Sequence, residues 1–253
     1  MKTKINILSL LFIQIIIIAG FTSCNKKKDE PVPTNTTTNE PKGRLRFHLH
    51  DYLEETEIDL YNHNYTLENG DKISISTVSL YLSEIELIRL DGSAYLIKDS
   101  IVYKEPEKFT YNVADVPVGN YKSIRFKVGV APFATNSSAS VHPLLNKPEM
   151  WFGPTQGSGI VYFNIKGKKN DKDFHYKIGT ESNLKQVSMP EKNYSVTPNG
   201  TSYVHMIIDY AKVLSEIDVE TESNREILTH HCNGKELAKQ ISNRIPSMFI
   251  YED

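Results

Sequence analysis

Sulfur, positive charge and long apolar runs are all scarce in this chain, and each shortage excludes a class of protein. Two cysteines among 253 residues cannot build a disulfide framework. The formal net charge is −2, so there is no basic surplus to neutralise phosphates, and a nucleic-acid partner is not expected. The one apolar stretch, Ile5–Gly20, is shorter than the roughly 20 residues that span a bilayer. No Gly-x-Ser-x-Gly elbow, His-Glu-x-x-His pair, Gly-rich phosphate loop or Cys-x-x-Cys motif is present. With the acids scattered, nothing selects a catalytic pair, and a non-enzymatic role is expected.

What the N-terminus does contain reads as an address. Lys2 and Lys4 precede the apolar stretch, and Phe21-Thr22-Ser23 places small residues before Cys24. This pattern predicts a signal peptide over residues 1–23, with Cys24 acylated in the manner of a bacterial lipoprotein. Each buried acyl CH₂ contributes about 0.8 kcal/mol, so more than one chain anchors stably to a membrane. Lys26-Lys27-Lys28-Asp29-Glu30 resembles a surface-export signal, so the expected location is the outer membrane, facing either the periplasm or the cell exterior. The Pro- and Thr-rich segment that follows lacks an apolar period and completes a flexible tether over residues 24–43.

Residues 44–253 read as one all-β domain, an antiparallel sandwich with a short C-terminal helix. Arg44-Leu45-Arg46-Phe47-His48-Leu49-His50 alternates polar and apolar, and Ile124, Phe126, Val128 and Val130 share one face of a second strand. Asp91-Gly92 predicts a hairpin, and Asn69-Gly70 and Asn199-Gly200 predict further turns. Further strands are expected over 159–166, 174–178 and 203–210, with loops over 131–157 and 179–199. Asn233 caps a helix carrying Leu237, Ile241 and Ile245, which Pro246 should stop.

The histidines carry the chemical signal. His48 and His50 lie two apart on a strand, so both rings leave the same face, where they can share an ion or simply meet solvent. Met150, beside the single tryptophan Trp151, is a possible thioether ligand, and His175 a further imidazole. His63 and the run His230-His231-Cys232 are weaker candidates.

Several segments, in order, resemble the MbnP-like copper-binding protein family. Ile75–Leu87 contains its Ser-x-Ile-x-Leu strand, and Val116–Val130 is similar to its Pro-x-Gly-x-Tyr-x-x-Ile-x-Phe-x-x-Gly-Val segment. Glu149-Met150-Trp151, Phe174-His175-Tyr176-Lys177-Ile178-Gly179 and Ile241–Phe249 resemble later family motifs, although the histidine comes two positions early. The resemblance implies copper as the bound ion and a MauG-like di-haem partner that oxidises a tryptophan. In the family's Met-aromatic-Trp-x-Trp-x-x-Gly-Tyr motif this chain has Phe152, Pro154 and Ser158 where Trp, Trp and Tyr stand, and Ala131 where an Asp often follows Gly-Val. A surface module binding glycans or another envelope protein, without metal, is the alternative reading.

Overall fold

Alternation in Lys42–Leu53 organises the first sheet. Leu45, Phe47, Leu49, Asp51 and Leu53 are buried, while Arg44, Arg46, His48, His50 and Tyr52 face outward. The strand begins two residues before its expected start. The computed structural model describes residues 40–130, 142–219, 226–228 and 235–252. The signal peptide, Cys24 and most of the tether lie outside the described residues, as do Ala131, His230, His231, Cys232 and the Asn233 cap. No helix among the described residues is long and apolar enough to cross a membrane.

The strands run β1 (Lys42–Leu53), β2 (Thr56–Glu57), β3 (Tyr65–Thr66), β4 (Lys72–Arg89), β5 (Ala94–Leu96), β6 (Ile101–Lys104), β7 (Thr110–Pro117) and β8 (Gly119–Val128). They continue with β9 (Val161–Lys169), β10 (Lys172–Gly179), β11 (Lys185–Ser188), β12 (Tyr194–Val196), β13 (Thr201–Asp209), β14 (Glu226–Leu228) and β15 (Phe249–Tyr251). The first sheet has the order β15-β13-β1-β2, with β7 also on β1. The second has the order β11-β8-β4-β9-β10-β14, with β3, β5 and β6 on β4 and β12 on β8. Most pairings are antiparallel; β1 with β13 and β10 with β14 are parallel.

Inward side chains of both sheets form the main core, among them Phe47, Leu49, Leu82, Ile124, Phe126, Phe163, Met206 and Ile208. Each such side chain contributes about 1.5–3 kcal/mol by leaving water. The long β4 stays in contact with partners on both sides because bulges near Thr77 and Ser83 bend it. The Asp91-Gly92 hairpin forms as expected, with Gly92 at φ +86° and its N–H donating to the Arg89 carbonyl at 2.9 Å.

One expectation needs correction. Residues 179–199 are not one loop: β11 and β12 both pair with β8, completing the second sheet's edge. The α-helix ends at Arg244, just before Pro246, as expected. The helix Lys235–Arg244 continues as a tighter 3₁₀ turn over Ile245–Met248, where proline's missing N–H costs nothing at the first turn. Ala238, Ile241, Ser242, Ile245 and Met248 along it are fully buried.

A buried polar knot ties the sheets together. Lys104 on β6 reaches across to Asp51 on β1 as an ion pair with both side chains almost entirely inside. The Tyr61 and Tyr210 hydroxyls donate to the two Asp51 oxygens at 2.6 and 2.7 Å. Burial, then the Asp51 charge, raises the Tyr210 hydroxyl far above its ordinary value, so it remains a donor.

Candidate functional site

The outer face of the first sheet is where the strand pattern and the histidines meet. His48 and His50 leave it side by side, with ring centroids 4.6 Å apart. The parallel register of β1 and β13 sets His48 directly beside His205, whose ring lies 4.9 Å away. This third imidazole was not among the sequence candidates. In the alternating run Thr201–Asp209 it reads as an ordinary outward polar residue; only the pairing of β13 with β1 gives it neighbours.

Each ring is held at Nδ1. Thr110 Oγ1 lies 2.8 Å from His48 Nδ1, Glu57 pairs with His50 Nδ1, and Glu252 Oε2 lies 3.2 Å from His205 Nδ1. The other oxygen of Glu252 is 3.7 Å from His50 Nε2, so one carboxylate serves two histidines. β7 supplies Thr110, β2 supplies Glu57, and the residue after β15 supplies Glu252, so with β1 and β13 five segments converge on one patch. Burial first, and then the neighbouring imidazoles of His50 and His205, hold His48 below the ordinary histidine value. It is therefore neutral at pH 7, the form in which an imidazole ligates metal.

Phe109 flanks the pair, its ring 5.5 Å from that of His50, and is itself 40% exposed. Beside His205 and Glu252 an open groove of about 410 Å³ is bordered by Lys192, Tyr194, Tyr203 and Tyr251. Among the described residues no group of three or more His, Cys, Asp or Glu side chains is arranged so that it could hold a metal ion. The imidazoles are neighbours, with their ring nitrogens on oxygen partners.

Met150 and His175 stand elsewhere. Phe174 and Tyr176 point into the main core, so His175 leaves the opposite, outer face of the second sheet, where its Nε2 lies 2.9 Å from Asn164 Oδ1. Met150 is fully buried in a second apolar cluster with Tyr81, Tyr103, Val161 and Tyr162. Tyr81 and Tyr162, which alternate with the core-facing Leu80, Leu82 and Phe163, belong to that same outer face. The two sheets and the whole main core thus separate Met150 and His175 from His48 and His50, and capture of one ion by the β1 histidines and the Met150 loop is not the arrangement found. His63 is exposed and stacks edge-on against Tyr65, with centroids 5.2 Å apart.

The loop bearing the altered tryptophan motif packs by shape. Trp151 Nε1 donates to the Leu145 carbonyl at 3.0 Å, and Lys177, at the position of the motif's histidine, donates to the Trp151 carbonyl at 3.3 Å. A Cβ on Gly179 would lie 2.4 Å from the Ile160 carbonyl and 2.7 Å from the Phe152 ring. Only glycine admits that approach.

Comparison with known proteins agrees with this architecture. No curated protein sequence matches the chain. Among solved structures, MbnP from Methylosinus trichosporium superposes with a TM-score of 0.53 at 12% identity, covering 70% of this chain and 79% of that one. At that identity the likeness concerns the fold alone. The family model MbnP matches residues 42–232, three quarters of the chain and all strands but the last. The chain therefore belongs to the MbnP family.

Proposed function

We propose that this protein is an exported, lipid-anchored, non-enzymatic metal-binding protein, that its ion is copper, and that His48 and His50 ligate it. The single observation that carries this is the pair of imidazoles 4.6 Å apart on an outward strand face. Ligand rings about a tetrahedral ion, at metal–nitrogen distances of about 2 Å, stand roughly 5 Å apart by centroid. The family resemblance supplies copper as the ion. Cys24 supplies the anchor, and the tether holds the body off the membrane. The role in this reading is capture or storage rather than catalysis.

The test is a titration of the folded body, residues 40–253, with copper under a competing chelator. This body forms one compact unit with its own core. One ion per chain, lost in the His48→Ala/His50→Ala double variant, is expected. Equal binding by the double variant rejects the assignment. Mass spectrometry of the membrane-extracted protein should find Cys24 as an acylated first residue; an unmodified Met1 terminus rejects the anchor.

The second reading, a surface module that binds glycan or protein, draws on the same face. Tyr203 is 44% exposed beneath the Arg46 guanidinium, and Phe109 and Ile250 are also exposed. Glycan-array hits that survive chelator and depend on Tyr203 favour it over copper binding. The MauG-like partner implied by the resemblance has one tryptophan to act on, Trp151, which lies partly buried on the opposite sheet.

A further inference from the structure

We infer that Lys104 and Asp51 are the two halves of a covalent cross-link, an amide between Lys104 Nζ and Asp51 Cγ that forms by condensation of the side chains with loss of one water and joins β6 of the second sheet to β1 of the first. The inference stands apart from any ion at the histidines.

Three observations carry it. The first is placement. Asp51 follows Leu49 on the inward face of β1, and Lys104 follows Val102 on the inward face of β6, so both charged residues stand where apolar ones belong. They meet in contact between the sheets, Lys104 0% and Asp51 3% exposed. Packing from both sheets shuts out water and holds amine and carboxyl together at the high effective concentration that intramolecular reactions exploit. A buried ion pair carries a desolvation penalty for each charge, and an amide carries neither charge.

The second is the pair of tyrosines. The Tyr210 hydroxyl donates to Asp51 Oδ1 at 2.7 Å, and the Tyr61 hydroxyl donates to Oδ2 at 2.6 Å. Lys104 Nζ donates to that same Oδ2 and lies 3.4 Å from the Tyr61 oxygen. The two carboxylate oxygens are thereby distinguished. Oδ1 takes the Tyr210 hydroxyl, as an oxyanion takes a preorganised donor, while Oδ2 stands between Lys104 and Tyr61, where a leaving oxygen can collect protons. Burial, followed by the Asp51 charge, raises both hydroxyls far above the ordinary tyrosine value, so each remains a donor.

The third is the nucleophile. Burial pushes Lys104 toward its neutral amine, against the charge and hydrogen bond of Asp51, and a desolvated lysine amine is a nucleophile. The ion pair in the structure is the state from which the bond forms, and the step needs no outside reagent. Lys104 passes one proton to Oδ2, and the Nζ lone pair attacks Cγ. The negative charge that develops on Oδ1 meets the Tyr210 hydroxyl. A second nitrogen proton reaches Oδ2 by way of Tyr61, the Cγ–Oδ2 bond breaks, and Oδ2 leaves as water. Ammonium plus carboxylate become amide plus water.

The experiment weighs the body, residues 40–253, by high-resolution mass spectrometry after denaturation, and then its proteolytic peptides. Expected are a mass one water below that of the sequence and a branched peptide joining the segment of Asp51 to that of Lys104. Lys104→Met and Asp51→Ala should keep the full masses of their sequences. In protein refolded from urea-solubilised inclusion bodies, the loss of water should be at least about 100-fold slower in Tyr210→Phe than in wild type, with circular dichroism confirming that the variant is folded. Wild type that keeps its full mass after long incubation in the folded state overturns the inference, and this measurement decides even where a variant fails to fold. A lost water that maps elsewhere also overturns it, as at Asp91-Gly92, where closure to a succinimide gives the same mass. Linkage of Tyr210→Phe at the wild-type rate overturns the oxyanion role of Tyr210. The copper titration reads the proposed function separately, so either can fail without the other.

Discussion

Lys104 and Asp51 form an ion pair inside the sandwich, one from each sheet, directly beneath the outward histidines of β1. Burial pushes the Lys104 amine down, and the Asp51 charge works against that shift. Removing one partner leaves the other charged and buried, so Lys104→Met and Asp51→Leu should each lower unfolding free energy by about 3–5 kcal/mol. The double variant should lose less than the sum of the two. Urea denaturation followed by tyrosine fluorescence measures this; additive losses would show that the two residues do not act as a pair.

Lys169 has a different task. Its buried ammonium donates to the carbonyls of Leu214, Ser215 and Ile217 at 3.0, 2.9 and 3.1 Å, closing the end of the helix Ala211–Leu214. Lys169→Met keeps the stem and strands those carbonyls. A loss of about 2–4 kcal/mol is expected, with early hydrogen exchange across residues 211–217. Unchanged exchange there would remove the capping role.

Asp71 touches the same ammonium at 3.0 Å. A hydrogen bond from Asn170, and then Lys169, holds its carboxyl below the ordinary value of 3.8. A carboxylate depressed in the folded state stabilises fully above its unfolded value and loses that contribution as pH falls through the folded one. Wild type should therefore lose stability relative to Asp71→Asn as pH drops from about 5 toward 2, with the gap constant above pH 5. Thermal melts across that range read the difference, and a gap that widens toward acid reverses the sign argued here.

Gly179 sits against the Ile160 carbonyl and the Phe152 ring, with no room for a methyl group. Gly179→Ala should cost about 1–3 kcal/mol and disturb the Met150–Trp151 segment, while leaving copper affinity unchanged. Near-ultraviolet circular dichroism of Trp151 reports the local change. An affinity loss would mean that the two outer faces are coupled.

Trp151→Phe tests the same separation from the other side. It deletes a single hydrogen bond to the Leu145 carbonyl, a loss of about 1 kcal/mol. Metal affinity at His48 and His50 should stay within twofold of wild type. A drop of tenfold or more would place the tryptophan loop in the site after all.

The alternation of Leu45, Phe47 and Leu49 with Arg46, His48 and His50 fixed locally that β1 is a strand and that both histidines share its outer face, because side-chain direction in a strand has period two. Turn chemistry at Asp91-Gly92 was equally local, since Gly92 adopts a left-handed backbone that few other residues tolerate. β11 and β12 were not legible in the same way. They are three or four residues long and exist because the β8 edge offers hydrogen bonds, not because Lys185–Ser188 or Tyr194–Val196 carries a pattern. His205 illustrates the wider limit. Its neighbourhood depends on β13 pairing in parallel with β1, and a strand's own residues state which way each side chain faces but not which strand lies alongside. The sequence by itself determined a β-rich body, its Asp91-Gly92 turn and two histidines on one face. Tertiary structure alone decided that Met150 and His175 belong to the opposite face and that His205, Glu57 and Glu252 join the pair, because those contacts link residues far apart in the chain through sheet register.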